Sequence, residues 1–153
     1  MAAYFLDSSA LVKRYAAETG TAWVTSLIEP AAGNLIYVVR ITGVETIAAI
    51  ARKRKGNLLS QADATTALTT LQKELAGLFL IVEVTTALLT GAMGLAEKHA
   101  LRGYDAVQLA AALGANGERL GQSLSPLTLI AADADLLAAG AAEGLTTDDP
   151  NNH

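Results

Sequence analysis

Apolar positions along this chain follow two alternating rhythms: short, nearly unbroken runs, and longer stretches in which they recur every three or four residues. The short runs are residues 3–6, Leu35 to Val39, Leu78 to Val84 and Leu127 to Ala131. Each is rich in β-branched or aromatic side chains or too brief for a stable helix, which predicts a strand. Helical spacing predicts helices over 8–17, 20–29, 41–55, 60–76, 86–100, 104–115 and 133–143. Pro30 and Gly33-Asn34 mark a turn, while Gly56-Asn57, Gly77 and Gly144 close helices. Ser60 offers a capping hydroxyl, with Asp63 in the first turn behind it. The glycine-rich segment 114–126 reads as a loop, and residues 147–153 as a polar tail that frays.

Strands that are apolar throughout, alternating with helices, belong in a parallel sheet covered on both faces. The expected fold is therefore α/β, with residues 1–146 forming one domain and 147–153 its tail. Composition sharpens this only slightly. With 52% apolar and 17% charged residues the chain is globular and not disordered. It has no cysteine, which excludes disulfides and thiolate metal sites and suits a reducing cytoplasm. No basic segment precedes an apolar core at Met1, so no signal peptide is expected. No uncharged apolar run approaches the roughly 20 residues of a bilayer span.

Charge carries more information. The net charge of −4 argues against a general nucleic-acid binder. Four acids sit in unusual surroundings, however: Asp7, Glu45, Asp105 and Asp133. Asp7 ends an apolar strand and is followed by Ser8, Ser9 and a helix start. Asp133 likewise ends Leu127 to Ala131 and its short extension. In open α/β sheets, ligands bind beyond the carboxyl ends of the strands. Helix capping explains Asp7 and Asp133 equally well, and Asp105 with Gln108 three residues on resembles a capping box. Glu45 resists such an account. Its helical neighbours are Ile41, Thr42, Ala48 and Ala49, so no cation stands beside it. A carboxylate on such a face must take up a proton or find a cation.

Acids gathered in one cleft suit magnesium, which takes oxygen ligands and is held by one or two carboxylates plus substrate phosphate. Such ions activate water and stabilise the leaving oxygen of a phosphodiester. Neutralising the four acids would bring the formal charge to zero. Basic clusters stand at Arg52-Lys53-Arg54-Lys55, Lys13-Arg14 and Lys98-His99-Arg102, where a solvated helix end explains them as well as a substrate does.

In their local contexts these residues resemble the PIN-domain family, and specifically the VapC-like toxins of type II toxin–antitoxin pairs. Tyr4 to Tyr15 looks like the family's opening signature. Ile41-Thr42-Gly43-Val44-Glu45 resembles its glutamate segment, Leu101 to Ala112 its third acidic motif, and Leu129 to Leu136 with Glu143-Gly144-Leu145 its fourth. The four lie in the family's order and span nearly the whole chain. The resemblance implies a three-layer α/β/α sandwich with a central parallel sheet. It also implies a magnesium- or manganese-dependent endoribonuclease in which a metal-activated water, not the RNA 2′-hydroxyl, attacks phosphorus. Asp7 and Asp105 would be principal metal ligands, with Glu45 and Asp133 completing the pocket, and Asp135 is an alternative to Asp133. A cognate antitoxin and a homodimer are implied as well. One departure is Ala131, where many relatives carry a hydroxyl two residues before the fourth acid. The competing reading is an inactive PIN-like module that binds RNA or protein. A receiver-type phospho-acceptor domain fits poorly, because serines follow Asp7 and no lysine follows Leu127 to Ala131.

Overall fold

Five strands form, one more than the apolar runs predict. The computed structural model describes all of residues 1–153. In chain order it runs β1 (Ala3–Leu6), α1 (Ser8–Tyr15), α2 (Thr21–Ile28), β2 (Leu35–Val39), α3 (Ile41–Lys55), α4 (Gln61–Gly77) and β3 (Leu80–Val82). There follow α5 (Thr86–His99), α6 (Gly103–Gly121), β4 (Thr128–Ile130), α7 (Ala134–Ala142) and β5 (Thr146–Asp148), with short 3-10 turns at Pro30–Ala32 and Pro150–Asn152. All pairings are parallel, in the order β3-β2-β1-β4-β5.

Period-two alternation in the strands divides the interior into two cores, one on each sheet face. Leu6, Ile36, Val38 and Ile130 pack with Leu11, Val24, Ile50 and Leu71 of α1 to α4. Phe5, Val39 and Leu129 face the other way and pack with Leu109, Ala112 and Leu136 of α6 and α7. This double coverage is why the strands read as unbroken apolar runs, and it gives the expected three-layer sandwich. Small residues bring the layers close. A Cβ added at Gly140 would meet the Leu129 side chain at 2.8 Å, so α7 lies tight against β4.

Two expectations are corrected. Residues 146–148 pair with β4 in register Thr128 to Thr146, so the segment read as the start of a fraying tail is an edge strand. Its threonines and aspartate suit an edge, where one side meets solvent and an apolar run would invite aggregation. Beyond it, the Pro150–Asn152 turn docks on the α1–α2 junction, where Asn151 accepts a hydrogen bond from Lys13 at 2.9 Å. The segment from residue 114 to 126 is not all loop, because α6 continues to Gly121. Gly114 and Gly117 cost that helix about 1 kcal/mol each. Against this, Ala115 is buried and Arg119 is anchored by the Ser125 carbonyl at 2.8 Å.

No helix is long and apolar enough to cross a membrane. From β1 the chain proceeds outward through β2 and β3, then returns to build β4 and β5 on the other side. The segments leaving β1 and β4 therefore diverge at a topological switch point, the place where open α/β sheets form their ligand crevice.

Candidate active site

Asp7 stands at that switch point. Its backbone N–H donates to the Ile130 carbonyl at 3.2 Å, tying the end of β1 to the end of β4. Its side chain caps α1, with Oδ1 accepting from the Ala10 N–H at 3.0 Å and the Ser9 hydroxyl at 2.7 Å. Capping and site chemistry are therefore not rival accounts, since the cap fixes where the carboxylate points. The group is only 2% exposed and makes no ion pair. Burial pushes its carboxyl up to about 7, against the pull of the hydrogen bonds from Ser9 and Ala10, and the charge of Glu45 adds a smaller push upward.

Ser9 does a second job. Its Oγ accepts from the Ala132 N–H at 2.8 Å, bridging α1 to the segment between β4 and α7. Ala131, the position where many of the resembling proteins carry a hydroxyl, is fully buried, and its N–H donates to the Asp148 carbonyl at 3.3 Å. The junction is thus held by backbone bonds and by Ser9 from across the sheet. Asp133 caps α7, accepting from the Leu136 N–H at 2.9 Å, and is half-buried, while Asp135 in the first turn is exposed.

Asp105 departs from the capping expectation. The residue flanking α6 is Arg102, with no side-chain cap, and Asp105 lies within the first turn. Its presumed capping-box partner Gln108 instead points inward, 1% exposed. Gln108 Nε2 donates to Glu45 at 2.8 Å and to Thr42 Oγ1 at 2.9 Å. Glu45, on α3, is half-buried, and its partner is this neutral amide and no cation. One turn of α6 thereby carries one acid and holds a second in place.

The electrostatics show which acids share a neighbourhood. Burial raises the Asp105 carboxyl above its ordinary value; Asp133 raises it further, Arg102 opposes, and Glu45 and Asp135 add smaller increments. Glu45 therefore acts on both Asp7 and Asp105, and Asp133 acts on Asp105, which links the four acids through Glu45. Of the two alternatives for the fourth acid, Asp133 acts on Asp105 more strongly than Asp135 does.

A cleft of about 670 Å³ opens beside them, lined by Ser8, Ser9, Ile41, Glu45, Arg52 and Tyr104 among others. A larger groove of about 780 Å³ lies between β3, α5 and α6. Its lining is mostly aliphatic and its acids are Glu83 and Glu118, the former paired with Arg40, whereas the smaller cleft is the one that Glu45 lines. No three carboxylates are drawn into a ready-made ligand set. The donors nevertheless fit a hard divalent cation. All are oxygens, Asp7 is a buried acid without a cation, and magnesium needs only one or two direct carboxylates when water supplies the rest.

A family model for the PIN domain matches residues 4–142. The chain belongs to the PIN-domain family. PIN domains are nucleases and generally use divalent metals. Among solved structures, this PIN domain is similar to PAE2754 from Pyrobaculum aerophilum, at 22% identity and TM-score 0.66, covering 99% of this chain and 91% of that one. It is similar to VapC20 of Mycobacterium tuberculosis, a sarcin–ricin loop cleaving toxin, at 16% identity and TM-score 0.63, with 94% and 96% covered. It is also similar to VapBC2 from Rickettsia felis, solved with a promoter DNA fragment, at 12% identity and TM-score 0.63, with 96% and 98% covered. No curated protein matches the chain in sequence. At these identities the structural likeness speaks to fold.

Sequence reasoning passes over Ser9 and Gln108 as working parts of this PIN domain. Gln108 carries a signal all the same. It lies between Val107 and Leu109, with Ala111 and Ala112 one turn on, so an amide there is on a buried face and must find partners.

Proposed function

We propose that this PIN domain is a magnesium- or manganese-dependent endoribonuclease of the VapC-like kind, acting as the toxin of a toxin–antitoxin pair. The observation that carries the reading is Asp7: a buried carboxylate at the sheet's switch point with no cation, beside three further acids from α3, α6 and the start of α7. Asp7 and Asp105 hold the ion, and Glu45 and Asp133 complete the pocket directly or through water. When bound, the ion supplies a water nucleophile at neutral pH and charge stabilisation for the leaving oxygen. The chain's own residues do the positioning. Ser9 and the Ala10 N–H fix the Asp7 carboxylate, Gln108 fixes Glu45, and the Leu136 N–H fixes Asp133. Similarity to a sarcin–ricin loop cleaving toxin and to the VapBC2 structure supports an RNA substrate and a cognate antitoxin. A homodimer in the cytoplasm completes the proposal.

Cleavage of a labelled structured RNA with magnesium, with manganese and with EDTA, beside Asp7→Asn, tests it. The expected result is metal-dependent cutting that leaves 5′-phosphate ends and vanishes in the variant. No cutting across a broad RNA panel, with no metal binding by calorimetry, would make the protein an inactive binding module. Growth arrest on expression, relieved by the product of an adjacent small open reading frame, tests the pairing.

A further inference from the structure

Where an RNA strand lies across this cleft follows from which cations and aromatics are already engaged elsewhere. Of the eleven lysines and arginines, Lys13, Arg14, Arg40, Lys53 and Lys98 are in ion pairs. Arg119 is buried against Ser125 and Tyr37. Arg52, Arg54, Lys55, Lys73 and Arg102 have no such partner; Arg102 lies near Asp105, and of the five only Arg52 lines the cleft that Glu45 lines. Arg52 follows Glu45 by seven residues on α3, two helical turns and about 10 Å along the same face. That separation sets it at a neighbouring phosphate and not at the one over the acids.

The aromatics sort the same way. Phe5 and Phe79 are core, Tyr15 donates to Glu74, Tyr37 lies beneath Arg119, and Trp23 is stacked on His153 with ring centroids 3.9 Å apart. Tyr104 is different. It is 67% exposed, lines the same cleft as Arg52, and immediately precedes Asp105. A large aromatic left in solvent beside an acid is poorly explained by packing. Bases splayed from single strands stack on such rings, whereas bases paired in a duplex cannot reach them.

We propose that the cleft takes a single-stranded RNA segment, with one base stacked on Tyr104 and a phosphate flanking the scissile one held by Arg52. This assignment deepens the nuclease reading and rests on it, so binding is measured apart from cleavage. The probe is a fluorescein-labelled unstructured RNA decamer, with its duplex as comparison, read by anisotropy on the Asp105→Asn protein so that the strand stays intact. On that background Tyr104→Ala weakens binding about tenfold or more, and Tyr104→Phe restores it. Arg52→Ala lowers the slope of log affinity on log salt by about 0.7, and Arg52→Lys does not. The duplex binds more weakly than the single strand. With Asp105 intact, Tyr104→Ala raises KM and leaves kcat in place. Binding of the decamer unchanged in both alanine variants, or equal affinity for the duplex, overturns the assignment. Cleavage that persists with unchanged KM in both alanine variants would remove this inference and leave the nuclease intact. Tyr104-dependent binding without any cleavage would do the reverse.

Discussion

Asp7 and Lys13 are two buried charges six residues apart in and around α1, and the protein treats them in opposite ways. Lys13, 4% exposed, donates to Glu18 at 3.1 Å, the Thr19 carbonyl at 2.8 Å and Asn151 at 2.9 Å. Every donor of its ammonium has an acceptor, so this charge ties α1 to the α1–α2 turn and to the docked C-terminal segment. Asp7 is as deeply buried but has two hydrogen-bond donors and no cation. Burial, which those two bonds only partly offset, pushes its carboxyl up to about 7. A compensated buried charge is architecture. An uncompensated one is costly on its own and persists where something else supplies the missing charge.

The comparison breaks most clearly in activity. Asp7→Asn should lower RNA cleavage on the order of a thousandfold in a single-turnover assay, the scale on which a metal ligand contributes to a barrier. Lys13→Met should do the opposite: cleavage by the folded protein persists, while urea denaturation shows a loss of about 2–3 kcal/mol. Without divalent ions, Asp7 should also make stability fall with pH. A carboxyl raised in the folded state contributes stability that is full below its unfolded pKa near 4 and lost as pH rises through about 7. Thermal melts between pH 4 and 8 should show that decline. Asp7→Asn should flatten it and leave the variant more stable than wild type at pH 8, by about 1–3 kcal/mol. A smaller effect belongs to Gln108→Leu, which should cut kcat about tenfold with KM unchanged, because it releases Glu45 without touching substrate. His153→Ala, which removes the stack on Trp23, should cost under about 1 kcal/mol and nothing in activity.

The apolar runs of β1, β2 and β4 are legible in the chain because both faces of each strand are buried. β5 is not, because Thr146–Asp148 is a polar edge whose pairing depends on β4 arriving beside it. The end of α6 is hidden for a related reason. Gly114 and Gly117 read locally as breakers, while the burial of Ala115 and the bond from Arg119 to Tyr37, 82 residues away, depend on the tertiary fold. As to the site, the four acids stand out in sequence against apolar surroundings, and the fold brings their charges within reach of one another. The supporting bonds from Ser9 to Ala132 and from Gln108 to Glu45 span 123 and 63 residues. No local pattern encodes contacts of that kind.

The most direct test of the account is the melting temperature at pH 8 as magnesium or manganese is added, for the wild type and for Asp7→Asn. A cation that completes the buried carboxylate stabilises the folded state in proportion to its binding. The wild-type Tm should climb with metal concentration, while the variant starts higher and stays flat. A wild type indifferent to both ions, or a variant that responds as fully as the wild type does, would contradict the claim that Asp7 is a charge awaiting its metal.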